Sequence, residues 1–173
     1  FSVQGPALQC SENGNLLSVQ SSRVAFVFDK STGLVTSYKV KGTEYFHEGF
    51  GIQPNFWRAP NDNDYGSQMP KRLQIWKQSS KNFNVVDASL AMDGKDAVLK
   101  VSYLLAAGNL YIATYRIHPS GVVKANYTFT STEMEAAKTE ASEATLMATF
   151  TPGNEAIRKE SSKLVVPRIG VRF

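Results

Sequence analysis

Apolar and polar residues alternate with a period of two over most of this chain, and the alternating runs are separated by glycine, proline and asparagine clusters. Residues 1–14 are polar and irregular, with Gly5-Pro6 and Asn13-Gly14 as turn signals. They read as an incoming linker followed by a first hairpin, whose second arm is 16–20. Residues 23–28 form a nearly continuous apolar run with aromatic and β-branched content, which predicts a strand buried on both faces. Residues 29–33 make a turn, 34–40 alternate as the return strand, 41–43 turn again, and 44–46 give a short third strand. Residues 68–78 are the one plausible helix. Pro70 falls in its first turn, where a missing N–H costs nothing, and Leu73, Ile75 and Trp76 give it a narrow apolar side for an edge of the sheet. From residue 82 the period of two returns. Asp93-Gly94 is a hairpin signal, and strands at 98–105, 110–117 and 122–130 are joined by turns at Gly108-Asn109 and Pro119-Ser120-Gly121. Such a four-stranded antiparallel meander needs a second sheet on its apolar face, so the fold class is an all-β antiparallel sandwich. Residues 131–143 are acidic and alanine-rich, a helical turn or a loop. Residues 144–151 alternate again, 152–162 are a polar loop, and 164–166 are strand-like.

Composition narrows the function classes. The 173 residues suit one domain, or one domain cut from a longer chain, and the first residue is not an initiator methionine. The formal net charge of +4 is mild and its lysines and arginines are scattered, which argues against a nucleic-acid partner. No apolar run approaches the ~20 residues of a membrane span, so no membrane partner is expected. The single cysteine, Cys10, has no internal disulfide partner.

The densest chemistry lies in Pro54-Asn55-Phe56-Trp57-Arg58-Ala59-Pro60-Asn61-Asp62-Asn63-Asp64-Tyr65-Gly66. The two prolines stiffen it, and residues 61–66 read as a structured loop in which Gly66 supplies φ > 0. Asp62 and Asp64 are its close acidic pair. Glycoside hydrolysis with retention uses two carboxyls about 5 Å apart across a sugar, and alternate residues of one loop seldom face each other that way. The expectation is therefore structural carboxylates, with Arg58 pairing to Asp62 or Asp64. A calcium loop fails on count: position 5 from Asn61 is Tyr65 and position 12 is Arg72, where oxygen ligands are required. There is no G-x-S-x-G and no glycine-rich phosphate loop. His47 and His118 are read as a loop hydrogen-bonder and a capping residue. Trp57 and Trp76 offer flat faces to a sugar, against burial as the bland reading, with Trp57 or Phe56 mostly core. Asn126-Tyr127-Thr128 is a glycosylation sequon placed mid-strand.

The segment from Asn55 to Gly66 resembles the N-F-W-R-A-P-T-D-N-D-x-G signature of the C-terminal small-chain domain of family 2 β-galactosidases, with Asn61 in place of Thr. Asp29-Lys30-Ser31-Thr32-Gly33-Leu34 with Ser37-Tyr38, and Pro167-Arg168-Ile169-Gly170-Val171-Arg172-Phe173, resemble two flanking family segments. The resemblance spans roughly residues 23–173 and implies a sandwich of the supersandwich, galactose-mutarotase-like kind. On this reading residues 1–22 are the incoming linker and first hairpin, and residues 23–173 the N-terminal part of the domain. It implies a non-catalytic portion that packs beside a catalytic barrel and helps shape the galactoside pocket. The catalytic acid/base and nucleophile belong to that barrel, so this chain is expected to be inactive alone. The carbohydrate-pocket or loop-organising candidates are then Trp57, Arg58, Asn61, Asp62, Asn63, Asp64 and Gly66, and residues 66–71 form a movable flap. The family's galactose-contacting tryptophan and its G-x-G-P-x-E-x-Y-x-D-R segment lie beyond residue 173. No cofactor is expected on this fragment; the family's magnesium and sodium sit in the barrel. The compartment is left between bacterial periplasm and cytoplasm. The alternatives are a free-standing carbohydrate-binding module, which needs exposed aromatics, and a mutarotase-like epimerase, which needs a His and a Glu meeting in a concave sheet face.

Overall fold

The computed structural model describes residues 5–105 and 108–130, and the backbone of 170–172. The expectations for 131–143, 144–151, 152–162 and 164–166 lie outside the described residues. Five strands, β1 (Gln9–Asn13), β2 (Leu16–Gln20), β3 (Val24–Asp29), β4 (Leu34–Val40) and β5 (Thr43–Glu44), form one antiparallel sheet in sequence order. Strand β6 (Gln53–Asn55) leaves it and pairs with β11 (Gly170–Arg172). Strands β7 (Phe83–Asp93), β8 (Asp96–Leu105), β9 (Leu110–Ile117) and β10 (Val123–Thr130) form the second sheet, again a meander. The expected all-β antiparallel sandwich is what the chain adopts.

The core lies between the sheets. Val24, Phe26 and Phe28 of β3 face Leu99, Val101 and Tyr103 of β8 and Tyr111, Ala113 and Tyr115 of β9 within one buried cluster. The Phe26 and Tyr115 rings sit 5.8 Å apart across the interface. Strand β3 is not buried on both faces: Val24, Phe26 and Phe28 are buried while Ala25 and Val27 are only half-buried. The second face of the sheet is incompletely covered, so alternation rules even in an apolar run. Two hydrogen bonds tie the β9–β10 turn to the first sheet. Arg23 Nε donates to the Ser120 carbonyl at 2.9 Å, and the Tyr38 hydroxyl donates to the Gly121 carbonyl.

The helical region differs from expectation. A short helix α1 (Asp62–Gly66) forms where a loop is expected, and the one helix expected over 68–78 is split into two, α2 (Met69–Arg72) and α3 (Gln74–Ser79). Gln68 separates the first two by adopting φ 55°, and Leu73 separates the others at φ −109°, ψ 20°. The apolar side is Met69, Leu73 and Trp76, with Ile75 turned outward, because residues three and four apart share a helix face. Trp76 packs on Phe129 of β10, an edge strand of its sheet among the described residues.

Candidate functional site

The chain enters the site through a close approach. A Cβ on Gly51 would lie 1.5 Å from the Val35 carbonyl oxygen, so only glycine passes beneath β4. Phe56 then plunges into the core. It is fully buried, edge-on to Tyr111 at 5.3 Å, with Trp76 and Phe129 at 6.1 and 5.9 Å. Its N–H donates to Ser80 Oγ at 2.8 Å, and that hydroxyl donates to the Trp76 carbonyl at 3.0 Å. The Trp57 N–H donates to Asn55 Oδ1 at 3.1 Å, a turn closed by a side chain. Trp57 is half-buried against the core.

Beyond this anchor the loop ties itself together. Arg58 Nη1 and Nη2 contact Asp64 Oδ2 and Oδ1 at 2.5 and 2.8 Å, the fork geometry of a bidentate pair. Asp64 Oδ2 also accepts the Asn61 N–H at 2.8 Å, and Asn61 Oδ1 accepts the Asp64 N–H at 3.0 Å. This reciprocal capping box starts α1, so residues 61–66 are a capped helical turn rather than a loop. The Arg58 hydrogen bonds, with help from the Asn61 amide, hold the Asp64 carboxyl below the usual aspartate range, and the same bonds hold the Arg58 guanidinium above its own. Asp62, at the start of α1, is exposed, as are Asn61, Asn63 and Tyr65, the last at 63%. Gly66 is helical and carries no positive φ. The left-handed residue of this region is Gln68, at φ 55°.

The other candidates are dispersed. His47 sits in the short 3-10 turn His47–Gly49 and Glu48 is 3.7 Å from it, both at least 84% exposed, so this pair does not occupy a concave face. His118 ends β9: its Nδ1 accepts the Ser120 N–H at 3.1 Å and lies 2.7 Å from Ser120 Oγ, while Asp96 is 4.0 Å from Nε2. Trp76 is buried and offers no face to a sugar. Asn126 is exposed on β10. Cys10 is half-buried with its Sγ 3.4 Å from Met92 Sδ, and burial pushes its thiol pKa up. Among the described residues no three His, Cys, Asp or Glu side chains converge as a metal site, and no helix is long and apolar enough to cross a membrane. An open cleft of about 410 Å³, lined by Leu8, Met92, Lys95, His118 and Pro119, includes no residue of the signature.

Two structural anchors of the segment escape sequence reading. Ser80 anchors Phe56 from 24 residues away, and nothing local marks it. The Asn61/Asp64 box carries the N-x-x-D spacing of a helix start and was there to be found.

A two-sheet antiparallel sandwich with one self-locked, helix-capped segment defines the class of this domain. The family model described as the β-galactosidase small chain matches residues 20–173, and the chain belongs to that family. A β-galactosidase of Priestia megaterium is 34% identical over 113 residues, covering 58% of this chain and 11% of that protein. A β-galactosidase of Kluyveromyces lactis is 31% identical over 101 residues, covering 56% and 10%. A β-galactosidase small subunit of Latilactobacillus sakei is 29% identical over 77 residues, covering 44% and 24%. The chain thus matches between about a tenth and a quarter of the length of these relatives.

Proposed function

We propose that this chain is the non-catalytic small-chain portion of a family 2 β-galactosidase. It packs against the catalytic barrel as a supersandwich, mutarotase-like domain. It finishes the galactoside pocket with a rim built from Trp57, Arg58 and residues 61–66. The observation that carries this reading is the state of the two carboxylates. Asp64 is occupied by Arg58 and Asn61, which leaves Asp62 as the acid of the segment open to a ligand. Retaining hydrolysis needs two available carboxyls, so the rim binds or orients and the barrel carries the chemistry. The family's magnesium and sodium are assigned to the barrel.

Two measurements test this. The pure chain is expected to release no nitrophenol from a nitrophenyl β-galactoside. Turnover that disappears in Asp62→Ala or Asp64→Ala would place a catalytic acid on this chain and overturn the reading. In the intact enzyme, Asp62→Ala is expected to raise KM at nearly constant kcat, as loss of a binding contact does. A lowered kcat at unchanged KM contradicts a rim role.

A further inference from the structure

We propose that the elbow at residues 44–50 is the surface by which this domain docks the catalytic part of its β-galactosidase, with Tyr45 and Phe50 as the anchoring side chains. The proposal rests on the small-chain reading above and adds to it the place of contact.

Two large aromatics stand out of the surface within six residues, Tyr45 at 62% and Phe50 at 51% exposed. Scattered apolar side chains are normal on a protein surface, but two exposed aromatics flanking an almost fully exposed histidine in one short segment have the composition of an interface core with a polar rim. Moreover, Tyr45 is built in rather than loose. Glu44 Oε1 accepts the N–H groups of Tyr38, Tyr45 and Phe46 at 2.9, 3.1 and 3.1 Å, and its Oε2 accepts the Ser37 hydroxyl at 2.5 Å. The Tyr45 N–H also reaches the Tyr38 carbonyl at 2.9 Å. The Tyr45 and Phe46 rings lie 5.4 and 6.1 Å from the Tyr38 ring, and Tyr38 is itself fixed by its hydroxyl to Gly121. Tyr45 is therefore exposed yet held, the state in which an aromatic loses least entropy when a partner covers it.

The backbone agrees. Glu48 takes φ 50°, ψ 34°, and Gly49 follows at φ 74°. A left-handed non-glycine residue is costly, and residues 47–49 include no buried side chain whose packing would offset it. The partner's mode of contact also follows. Strand β5 is two residues long, and the Glu44 carboxylate takes N–H groups that an added strand would need. The elbow is closed to strand addition and presents side chains instead. As for the occupant, the matched stretch is 11% and 10% of two relatives named β-galactosidase, and a third is itself named a small subunit. Most of a β-galactosidase lies outside this domain, and a held, exposed Tyr45 with an exposed Phe50 five residues on fits a domain–domain contact.

The test uses the intact β-galactosidase that contains this sequence. Tyr45, Phe50 and Val86 of β7 are 62%, 51% and 53% exposed in the domain, so hydroxyl-radical labelling, each rate divided by the intrinsic reactivity of its side chain, reads their cover directly. Tyr45 and Phe50 are expected to label several-fold more slowly than Val86 on that scale. The double variant Tyr45→Ser, Phe50→Ser is expected to loosen the domain from the rest at a lower temperature than wild type, while Val86→Ser does not. Equal scaled labelling of Tyr45 and Val86 in an enzyme that retains the domain overturns the proposal and leaves the small-chain reading standing. A domain that never accompanies a catalytic part overturns both. Fast Tyr45 labelling that slows only on adding galactose makes the elbow a sugar platform, which also overturns it.

Discussion

Arg58 and Asp64, six residues apart, meet through two nitrogen–oxygen contacts on a carboxylate that also accepts the Asn61 N–H. One side chain thereby serves as counter-ion to the arginine and as the returning arm of a helix cap. The folded-state pKa of Asp64 is depressed, so its contribution is present above the unfolded-chain value and is lost as pH falls through the folded one. At neutral pH, Asp64→Asn is expected to speed amide exchange over residues 61–66. Wild type is expected to show the same acceleration only in acid, below the usual carboxylate range. Identical exchange in the two proteins at neutral pH would show that the pair does not hold the segment.

Asn61 caps α1 through its side chain, and losing such a cap costs about 1 kcal/mol. Asn61→Ala is expected to lower unfolding stability by that order in urea. Asn63→Ala, exposed within the same turn, is expected to stay within ~0.5 kcal/mol.

Gly51, just before the signature, and Gly66, its last residue, are expected to respond differently to alanine. Gly51→Ala drives a methyl into the Val35 carbonyl, a backbone clash that cannot be relieved by a rotamer, and should cost ~3 kcal/mol or more. Gly66→Ala meets nothing within 4 Å and lies in a helical turn, so it should be neutral or gain up to ~1 kcal/mol. Melting temperatures of the two variants decide it.

Residues 66–68 are expected to exchange faster than 56–58. Gly66, Ser67 and Gln68 are exposed, with Gln68 left-handed, whereas the Phe56 N–H is bonded to a buried hydroxyl beneath a buried ring. Met69, at 5% exposure, ends the loose stretch, so protection should return there rather than at the end of a longer flap. Uniform exchange from 56 to 68 would make the whole stretch a packed connector.

Tyr103, Tyr111 and Tyr115 are buried in the core, and desolvation raises all three phenols above the ordinary value of 10.0. A raised folded-state value means stability is intact below the unfolded-chain value and falls as pH climbs beyond it. A spectroscopic alkaline titration is therefore expected to show these tyrosines ionising only together with unfolding. Independent, reversible ionisation of all seven tyrosines near their ordinary value would contradict the buried cluster.

The sandwich was legible because its signals are local. Alternation marked each strand, and Asn13-Gly14, Asp93-Gly94 and Pro119-Ser120-Gly121 marked hairpins that the structure forms. The helical region was misread because its breaks are set by backbone conformation at Gln68 and Leu73, residues whose types do not announce a left-handed or bridging geometry. The pairing of Arg58 was legible as to partner class, and the choice of Asp64 over Asp62 followed from the cap at Asn61. The Glu44 knot was invisible, since a glutamate at a sheet edge looks like any solvated charge until its three amide donors converge.

The clasp on the β9–β10 turn bears on how the molecule assembles. Each of the two large sheets is a meander whose neighbours in space are neighbours in sequence, so each can begin to form by itself and quickly. The bonds from Arg23 to Ser120 and from Tyr38 to Gly121 span 97 and 83 residues and have meaning only once both halves exist. They act as a latch that closes late. Weakening it would leave the folding rate nearly untouched and make the finished domain come apart sooner.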